Sequence, residues 1–380
     1  MTDKLFSRRD FIKAAGLVAG SAALAACAPR PAQEAVASME TQGGSELLPL
    51  EPSPESEVKI VFGEEKSVDT HGLEWVPDTR TSYIKSDNKY QFYFSAGREG
   101  FVLEGDDFYN LGEPKKYMEP SLKNGEFGIN CYRAPGTVFD DKNGNLWSLD
   151  HNEEWINQEN GGNFTARIAL SQSKDNGITW TDHGVILDGQ APQKAGDRVT
   201  GAGQPSGIIK EVDGVSFLYM YFTDWGIGSD SVHLARVPLG QINNPDAWQK
   251  YNSGAFNSGS GGASSPVISP PYGEIYAAIP SVSWNEKVGK YVASFEGGTG
   301  FWLATSIDGV SWKNYQKIAD FPQAYDKVVS GSTRFSYPTL LSLDTNDQFV
   351  TSNKGVLVYS KGVFNSSGSN QMKIREFNIS

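Results

Sequence analysis

Five times along its length the chain repeats one pattern: a proline at the head of a β-rich run, a polar turn, then a second run of aromatic or β-branched residues. The copies are VPDTRTSYIKSDNKYQFYFSA, RAPGTVFDDKNGNLWSLDHNE, QPSGIIKEVDGVSFLYMYFTDW, IPSVSWNEKVGKYVASFEGG and YPTLLSLDTNDQFVTSNKGVLVYSKG. Their prolines are Pro77, Pro135, Pro205, Pro280 and Pro338, spaced 58 to 75 residues apart. Turn-forming pairs such as Asn143-Gly144 and Asp213-Gly214 separate the two runs. A third run follows each pair (REGFVLEG, ARIALSQS, VHLARVPL, FWLATSID and MKIREFNI), and a weaker fourth follows some, as in GVILDG and QKIADF. Three or four antiparallel strands in a unit of this length is the size of a propeller blade. The pattern predicts an all-β fold, a five-bladed β-propeller spanning residues 58–380. The last repeat ends at Ser380 without a fourth strand, and Val58-Lys59-Ile60-Val61-Phe62 can supply it and close the ring. Composition agrees, with 41 glycines and 12% aromatic residues.

The first thirty residues carry different information. Ser7-Arg8-Arg9-Asp10-Phe11-Ile12-Lys13 resembles a twin-arginine export signal, and an apolar stretch from Ala14 to Ala26 follows it. That stretch is short for a membrane span and ends in small residues, as a cleavable signal does. It closes on Leu24-Ala25-Ala26-Cys27, which resembles a bacterial lipobox and makes Cys27 the expected lipidation site. Residues 1–26 are thus read as a signal peptide. Residues 27–57, rich in Pro, Ala, Glu, Ser and Gly, are read as a disordered tether from the lipidated Cys27. The expected location is the bacterial cell envelope, with the lipid as the sole attachment to the membrane. Cys131 is then the one remaining thiol, so no intrachain disulfide can form, and it reads as a small core residue.

In a propeller, the starts of the first strands and the ends of the second strands meet at one mouth of the central channel. The first-strand approaches supply Asp69, His71, Trp75 and Asp78; Tyr132 and Arg133; Asp197, Arg198 and Gln204; Glu274 and Tyr276; Arg334 and Tyr337. The second-strand ends supply Arg98 and Glu99, the stretch Asp150 to Trp155, Asp224 and Trp225, and Glu296. Carboxylates, arginines and aromatics recur at the same place in successive repeats. Such a set suits carbohydrate chemistry. Glycoside hydrolysis needs two carboxyl groups flanking one bond, tryptophan and tyrosine offer flat faces to sugar rings, and arginine matches carboxylate or sulfate. Strand alternation puts His151 and Glu153 on one side; the competing reading of this stretch is a solvated acidic loop. Asp224 closes an aromatic strand and is a candidate partner acid. Arg133 and Arg334 are expected to face the ligand, which tilts the substrate towards an acidic or sulfated sugar. His71, Trp75, His151, Trp225 and Tyr337 complete the expected binding set.

The repeat layout, the aromatic second strands and two turns, Ser173-Lys174-Asp175-Asn176-Gly177-Ile178-Thr179-Trp180 and Ser306-Ile307-Asp308-Gly309-Val310-Ser311-Trp312, resemble the five-bladed propeller glycosidases, which include arabinanases and fructosidases. The resemblance implies a catalytic Asp before the first inner strand, matched here by Asp69, whose competing reading is a turn-forming Asp-Thr-His-Gly loop. It also implies acids on the third and fourth inner strands, where this chain has Gln204-Pro205-Ser206 and Ile279-Pro280-Ser281. The two turns resemble the Asp boxes of sialidases, and Tyr132-Arg133-Ala134-Pro135 resembles the sialidase aromatic-Arg-x-Pro motif. Asp175 and Asp308 are read as turn-forming rather than catalytic, because the turn after a third strand lies away from the binding mouth.

Other chemistries find little support. The chain holds 45 Asp and Glu against 33 Lys and Arg and four histidines, a balance that argues against nucleic acid as a partner. It contains neither an H-E-x-x-H zinc motif nor a G-x-S-x-G elbow. No cofactor is required; calcium in the central channel, held by His151 and carboxylates, is compatible with the sequence. The expectation is a monomeric, exported, lipid-anchored glycosidase acting on a poly- or oligosaccharide, with Asp69, Glu153 and Asp224 as candidate catalytic carboxylates. The alternatives are a sialidase-like exo-glycosidase, a glycan-binding propeller without catalysis, and an assembly propeller of the envelope.

Overall fold

Apolar–polar alternation bounded by Gly, Asn and Asp turns makes antiparallel strands, and nearly every element here is one. The structure, a computed structural model, describes residues 48–49, 58–86, 89–97, 99–118, 132–157, 163–190, 199–225, 230–324, 331–363 and 370–380. Arg8, Arg9, Cys27 and nearly all of the expected tether lie outside the described residues, as do Arg98, Cys131, Asp197 and Arg198.

Two strands precede the repeats, β1 (Leu48–Pro49) and β2 (Ile60–Ser67). The first repeat forms β3 (Ser82–Ser86), β4 (Lys89–Ala96), β5 (Glu99–Gly105) and β6 (Lys115–Met118). The second forms β7 (Tyr132–Asp140), β8 (Leu146–Asn157), β9 (Asn163–Ser173) and β10 (Thr181–Asp188). The third forms β11 (Val199–Val212), β12 (Val215–Trp225), β13 (Ser231–Pro238), β14 (Gln249–Asn252) and β15 (Ala255–Ser258). The fourth forms β16 (Ala278–Asn285), β17 (Lys290–Glu296), β18 (Gly300–Ser306) and β19 (Lys313–Asp320). The fifth forms β20 (Thr333–Leu341), the short β21 (Val350–Thr351), β22 (Lys354–Val363) and β23 (Gln371–Ile379). Helix among the described residues is confined to three-residue 3₁₀ turns.

Apart from β21, each repeat is an antiparallel meander in sequence order; short parallel pairings of β9 with β11 and of β16 with β21 join the second repeat to the third and the fourth to the fifth. The fifth sheet runs β2-β23-β22-β20, so an N-terminal strand completes a C-terminal sheet. Ile60 pairs with Ile379 and Phe62 with Phe377, and Lys59 and Ser380 exchange backbone hydrogen bonds of 3.0 and 2.9 Å. The run Val58–Phe62 therefore does what its sequence position suggested. Within the expected tether, Leu48 and Pro49 pair with Asp320 and Ala319 on the edge of the fourth sheet.

Apolar side chains on both faces of each sheet explain the arrangement. Tyr93 and Val102 of the first sheet pack with Val138 and Leu146 of the second. Leu149, Ile168, Ile208, Phe222, Val282 and Phe295 run through the second, third and fourth. Phe301 of the fourth meets Leu357 and Phe377 of the fifth, and Val358 and Ile374 of the fifth return to Phe92 and Leu103 of the first. Burial of each such side chain stabilises by about 1.5–3 kcal/mol, and none of it is available to a lone sheet. Face-to-face packing thus runs in a circuit, and the protein is an all-β propeller.

Candidate functional site

Four of the prolines that mark the repeats, Pro135, Pro205, Pro280 and Pro338, sit at breaks in the innermost strands; Pro77 precedes β3. Proline has no N–H to continue a ladder, and the register shifts at Pro135/Thr137, Gly203/Ser206, Ala278/Ser281 and Ser336/Thr339. Gln204, Ile279 and Tyr337, each directly before a proline, have φ of 54°, 57° and 64°. This left-handed backbone is costly for any side chain and most of all for a β-branched one. Bulges re-aim side chains, and these turn residues 204, 279 and 337 inwards, where all three are buried. Hydroxyls from the preceding sheet tie the breaks together: Thr79 donates to the Pro135 carbonyl, Thr137 to that of Pro205 (3.3 Å) and Ser294 to that of Pro338 (3.0 Å).

Around these breaks lie three buried carboxylates. Asp78, 7% exposed, accepts from Tyr132 Oη on Oδ2 and from Tyr337 Oη on Oδ1, both at 2.7 Å. Acceptance on both oxygens suits an ionised carboxylate, and it ties together the first, second and fifth sheets. Glu296, at the end of β17, accepts from Tyr276 Oη (3.2 Å) and Ser336 Oγ (3.4 Å). Ser336 and Tyr337 are adjacent, so the start of β20 touches Asp78 through one residue and Glu296 through the other. On the far side of Tyr132, whose ring is 5.6 Å from that of His151, the Gln204 N–H donates to His151 Nδ1 (3.3 Å). That bond leaves the imidazole proton on Nε2, which faces Glu153 Oε1 at 3.1 Å. Trp225 covers this pair, its ring 6.0 Å from His151.

Of the expected site residues, His151, Glu153, Trp225 and Tyr337 are brought together here. Arg334 is half-buried at the start of β20, and Trp75 half-buried three residues before Asp78. Other expectations need correction. Asp69 is exposed and accepts from the His71 N–H (2.9 Å), while His71 Nε2 meets the Leu111 carbonyl (3.1 Å), so both hold a surface turn. Arg133 does not face a ligand: its Nε and Nη2 bind Asp150 (3.0 and 2.9 Å), Nη2 also binds Ser171 Oγ (2.9 Å), and Nη1 pairs with Asp182 (2.5 Å). Its charge is taken up inside its own sheet. Asp224 projects from β12 opposite to Trp225 and accepts from the Gln190 N–H (3.3 Å). Burial pushes its carboxyl up to about 6, with Lys250 nearby opposing the shift; Lys250 is itself lowered to about 8 by burial. Asp224 thus belongs to an outer polar cluster of the third sheet. Asp78, Tyr276 and Glu296 were missed as leading candidates, although each stands at the head of an inner strand or the end of a second strand.

The family model described as a domain of unknown function, DUF4185, matches residues 127–334. The chain belongs to that family. No curated protein matches it. Among solved structures, a family 117 glycoside hydrolase from the marine bacterium Zobellia galactanivorans is 11% identical with a TM-score of 0.52, over 85% of this chain and 90% of that one. A protein of unknown function from Dyadobacter fermentans is 12% identical with a TM-score of 0.49, over 84% and 99%. An arabinanase from Bacillus subtilis is 11% identical with a TM-score of 0.46, over 83% and 97%. At such identities the first of these likenesses speaks for the fold, the propeller that glycoside hydrolases carry.

In this DUF4185 chain the residues expected to hold calcium do not fit it. Calcium takes six to eight oxygen ligands, whereas both ring nitrogens of His151 are engaged. Among the described residues no group of three or more His, Cys, Asp or Glu could hold a metal ion.

The two Asp-containing turns are built from local bonds. Asp175 Oδ1 accepts from Ser173 Oγ and the Thr179 N–H (both 2.8 Å), and Trp180 Nε1 donates to the Gly177 carbonyl (3.1 Å). Asp308 Oδ1 accepts from the N–H groups of Val310 (2.8 Å) and Ser311 (2.7 Å). Although burial opposes it, these bonds hold the Asp308 carboxyl down at about 2. A carboxylate depressed in the folded state adds stability above its ordinary value of 3.8, and that stability is lost as pH falls through about 2. Urea midpoints between pH 5 and pH 2 should therefore fall more steeply for the native chain than for Asp308→Asn. Equal slopes would mean that the turn does not use the charge.

Proposed function

We propose that this protein is an exported, lipid-anchored glycoside hydrolase, with the five meanders as five blades and the carboxylates Asp78, Glu296 and Glu153 at the axial mouth. The observation that carries the reading is Asp78, a buried carboxylate held by tyrosines from two other repeats beside a second carboxylate, Glu296, that touches the same strand start. Glycosidic cleavage needs such a pair: one group protonates the leaving oxygen while the other attacks the sugar or activates a water. Asp78 takes the second role, because its hydrogen bonds favour the ionised form; Glu296 takes the first. His151 and Glu153, backed by Trp225, form the neighbouring wall, where an aromatic face and a polar edge suit a sugar ring. Arg334 is the cation at this mouth that would select acidic substituents, since Arg133 is spent within its blade.

Export and anchoring are supported by Arg8-Arg9 and by Leu24-Ala25-Ala26-Cys27. Among the described residues no helix is long and apolar enough to cross a membrane.

The test is a panel of neutral, uronic-acid and sulfated polysaccharides incubated with the purified protein, with release of reducing ends as the readout. Cleavage of at least one glycan is the expected result. Saturable binding without cleavage would replace the enzyme with a glycan-binding lipoprotein, and neither binding nor cleavage across the panel would overturn the carbohydrate reading.

A further inference from the structure

The middle of the channel holds a charge that the proposed hydrolase chemistry does not use. Arg80 lies just before β3 and is 3% exposed. Its Nε donates to Ser281 Oγ (3.2 Å), and its Nη1 donates to Ser82 Oγ (3.2 Å), Thr137 Oγ1 (3.2 Å) and Gln348 Oε1 (3.4 Å). These partners come from the first, second and fourth sheets and from the turn after β20, so the guanidinium spans the axis. All four are neutral. The other terminal nitrogen, Nη2, is buried with no partner among the described residues.

Magnitudes make this arrangement incomplete. A buried cation costs several kcal/mol unless an opposite charge meets it. Arginine does not escape by losing its proton: burial lowers Arg80 only to about 10, which leaves it charged at neutral pH. Among the described residues no carboxylate contributes to that shift. Elsewhere the same chain pairs a buried arginine with acids, as Arg133 does with Asp150 and Asp182. A water molecule could accept a hydrogen bond from Nη2, yet it would leave the charge uncompensated. The space is shared with hydrogen bonds to three sheets, which favours a monatomic ion over a carboxylate or phosphate. A cavity of about 520 Å³, lined by Tyr83, Phe139, Trp284 and Phe349, also includes Gln348, whose amide contacts Arg80 directly.

We propose that the axial channel binds a small monovalent anion of chloride size on the Nη2 edge of Arg80, as a structural counter-ion. The inference is independent of the hydrolase reading, because Arg80 touches none of Asp78, Glu153 or Glu296 through the bonds above.

Two measurements test it. Crystals of the native protein soaked in sodium bromide should show an anomalous peak within hydrogen-bonding distance of Arg80 Nη2; a channel without one, or halide only on the surface, overturns the proposal. In solution, protein dialysed into sodium gluconate at fixed ionic strength should gain thermal stability when chloride replaces gluconate, with saturation as for a single site. Arg80→Met should abolish that chloride dependence. A native chain indifferent to chloride, or a variant that keeps the dependence, counts against the site. Should the variant fail to fold, the bromide peak in the native protein decides the matter.

Discussion

Asp78→Asn should lower turnover on any cleaved glycan by about 10²–10⁴-fold, the usual contribution of a positioned acid or base. The fold should survive. An amide fills the volume of the carboxyl group and keeps one oxygen to accept from a tyrosine; the other tyrosine hydroxyl can rotate to accept from the new NH₂. The expected cost is about one hydrogen bond, roughly 0.5–1.5 kcal/mol. Turnover and urea midpoint measured on one preparation therefore separate chemistry from stability. Tyr337→Phe tests the same assignment from the second side: it removes one donor to Asp78 and should cost less than the loss of the carboxylate. Asp69→Asn, altered at an exposed turn, should leave turnover unchanged. If Asp78→Asn cleaves as well as the native chain, Asp78 is a strut between sheets and the acid–base pair lies elsewhere.

The contrast between Asp69 and Asp78 marks where the sequence stops being legible. The repeat is written in local chemistry: a proline interrupts the inner strand at four places and precedes it at Pro77, turn residues follow, and aromatic runs return. Those cues give the strands, their order and the closing role of Val58–Phe62. They also give the inward alternation that brings His151 and Glu153 together. What they do not give is reach between strands. Both aspartates precede the first inner strand, and only the path of the chain through Trp75 and Pro77 decides which meets Tyr132 and Tyr337. The same holds for Arg133, which looks unpartnered along the chain. Its acids are Asp150, two residues from its pairing partner Asn152 on the adjacent strand, and Asp182 on the outermost one. Asp224 and Trp225 are neighbours in sequence but face opposite ways, so one belongs to the mouth and the other to the cluster around Lys250. Gln204 and Ile279 stand where the resemblance implies acids, and the buried carboxylates nearest these breaks are Asp78, Glu153 and Glu296, the last two on second strands.

Arg133→Met should destabilise the protein by about 3–5 kcal/mol, the cost of leaving one member of a buried ion pair without its partner. Asp150 is fully buried, and burial holds its carboxyl above the ordinary value even with Arg133 against it. Removing the guanidinium takes away two of its hydrogen bonds and leaves the hydroxyls of Ser148 and Ser171 to carry the charge. Asp182 loses its partner as well, but its side chain is 46% exposed and can turn to water, so Asp150 dominates the cost. Asp150→Leu alone should also be costly, because the buried arginine then keeps Asp182 as its carboxylate, with only the Ser171 hydroxyl and the Leu170 carbonyl beside it. Together the two changes replace polar groups by apolar ones of similar volume, a swap that is often neutral or better. Arg133→Met/Asp150→Leu should therefore be more stable than either single variant, giving a coupling energy of several kcal/mol in a double-mutant cycle. Urea denaturation of the four proteins measures it. Additive losses would mean that the pair does not act as a unit. A selective loss of binding to anionic glycans by Arg133→Met, at unchanged stability, would return Arg133 to the ligand-binding set.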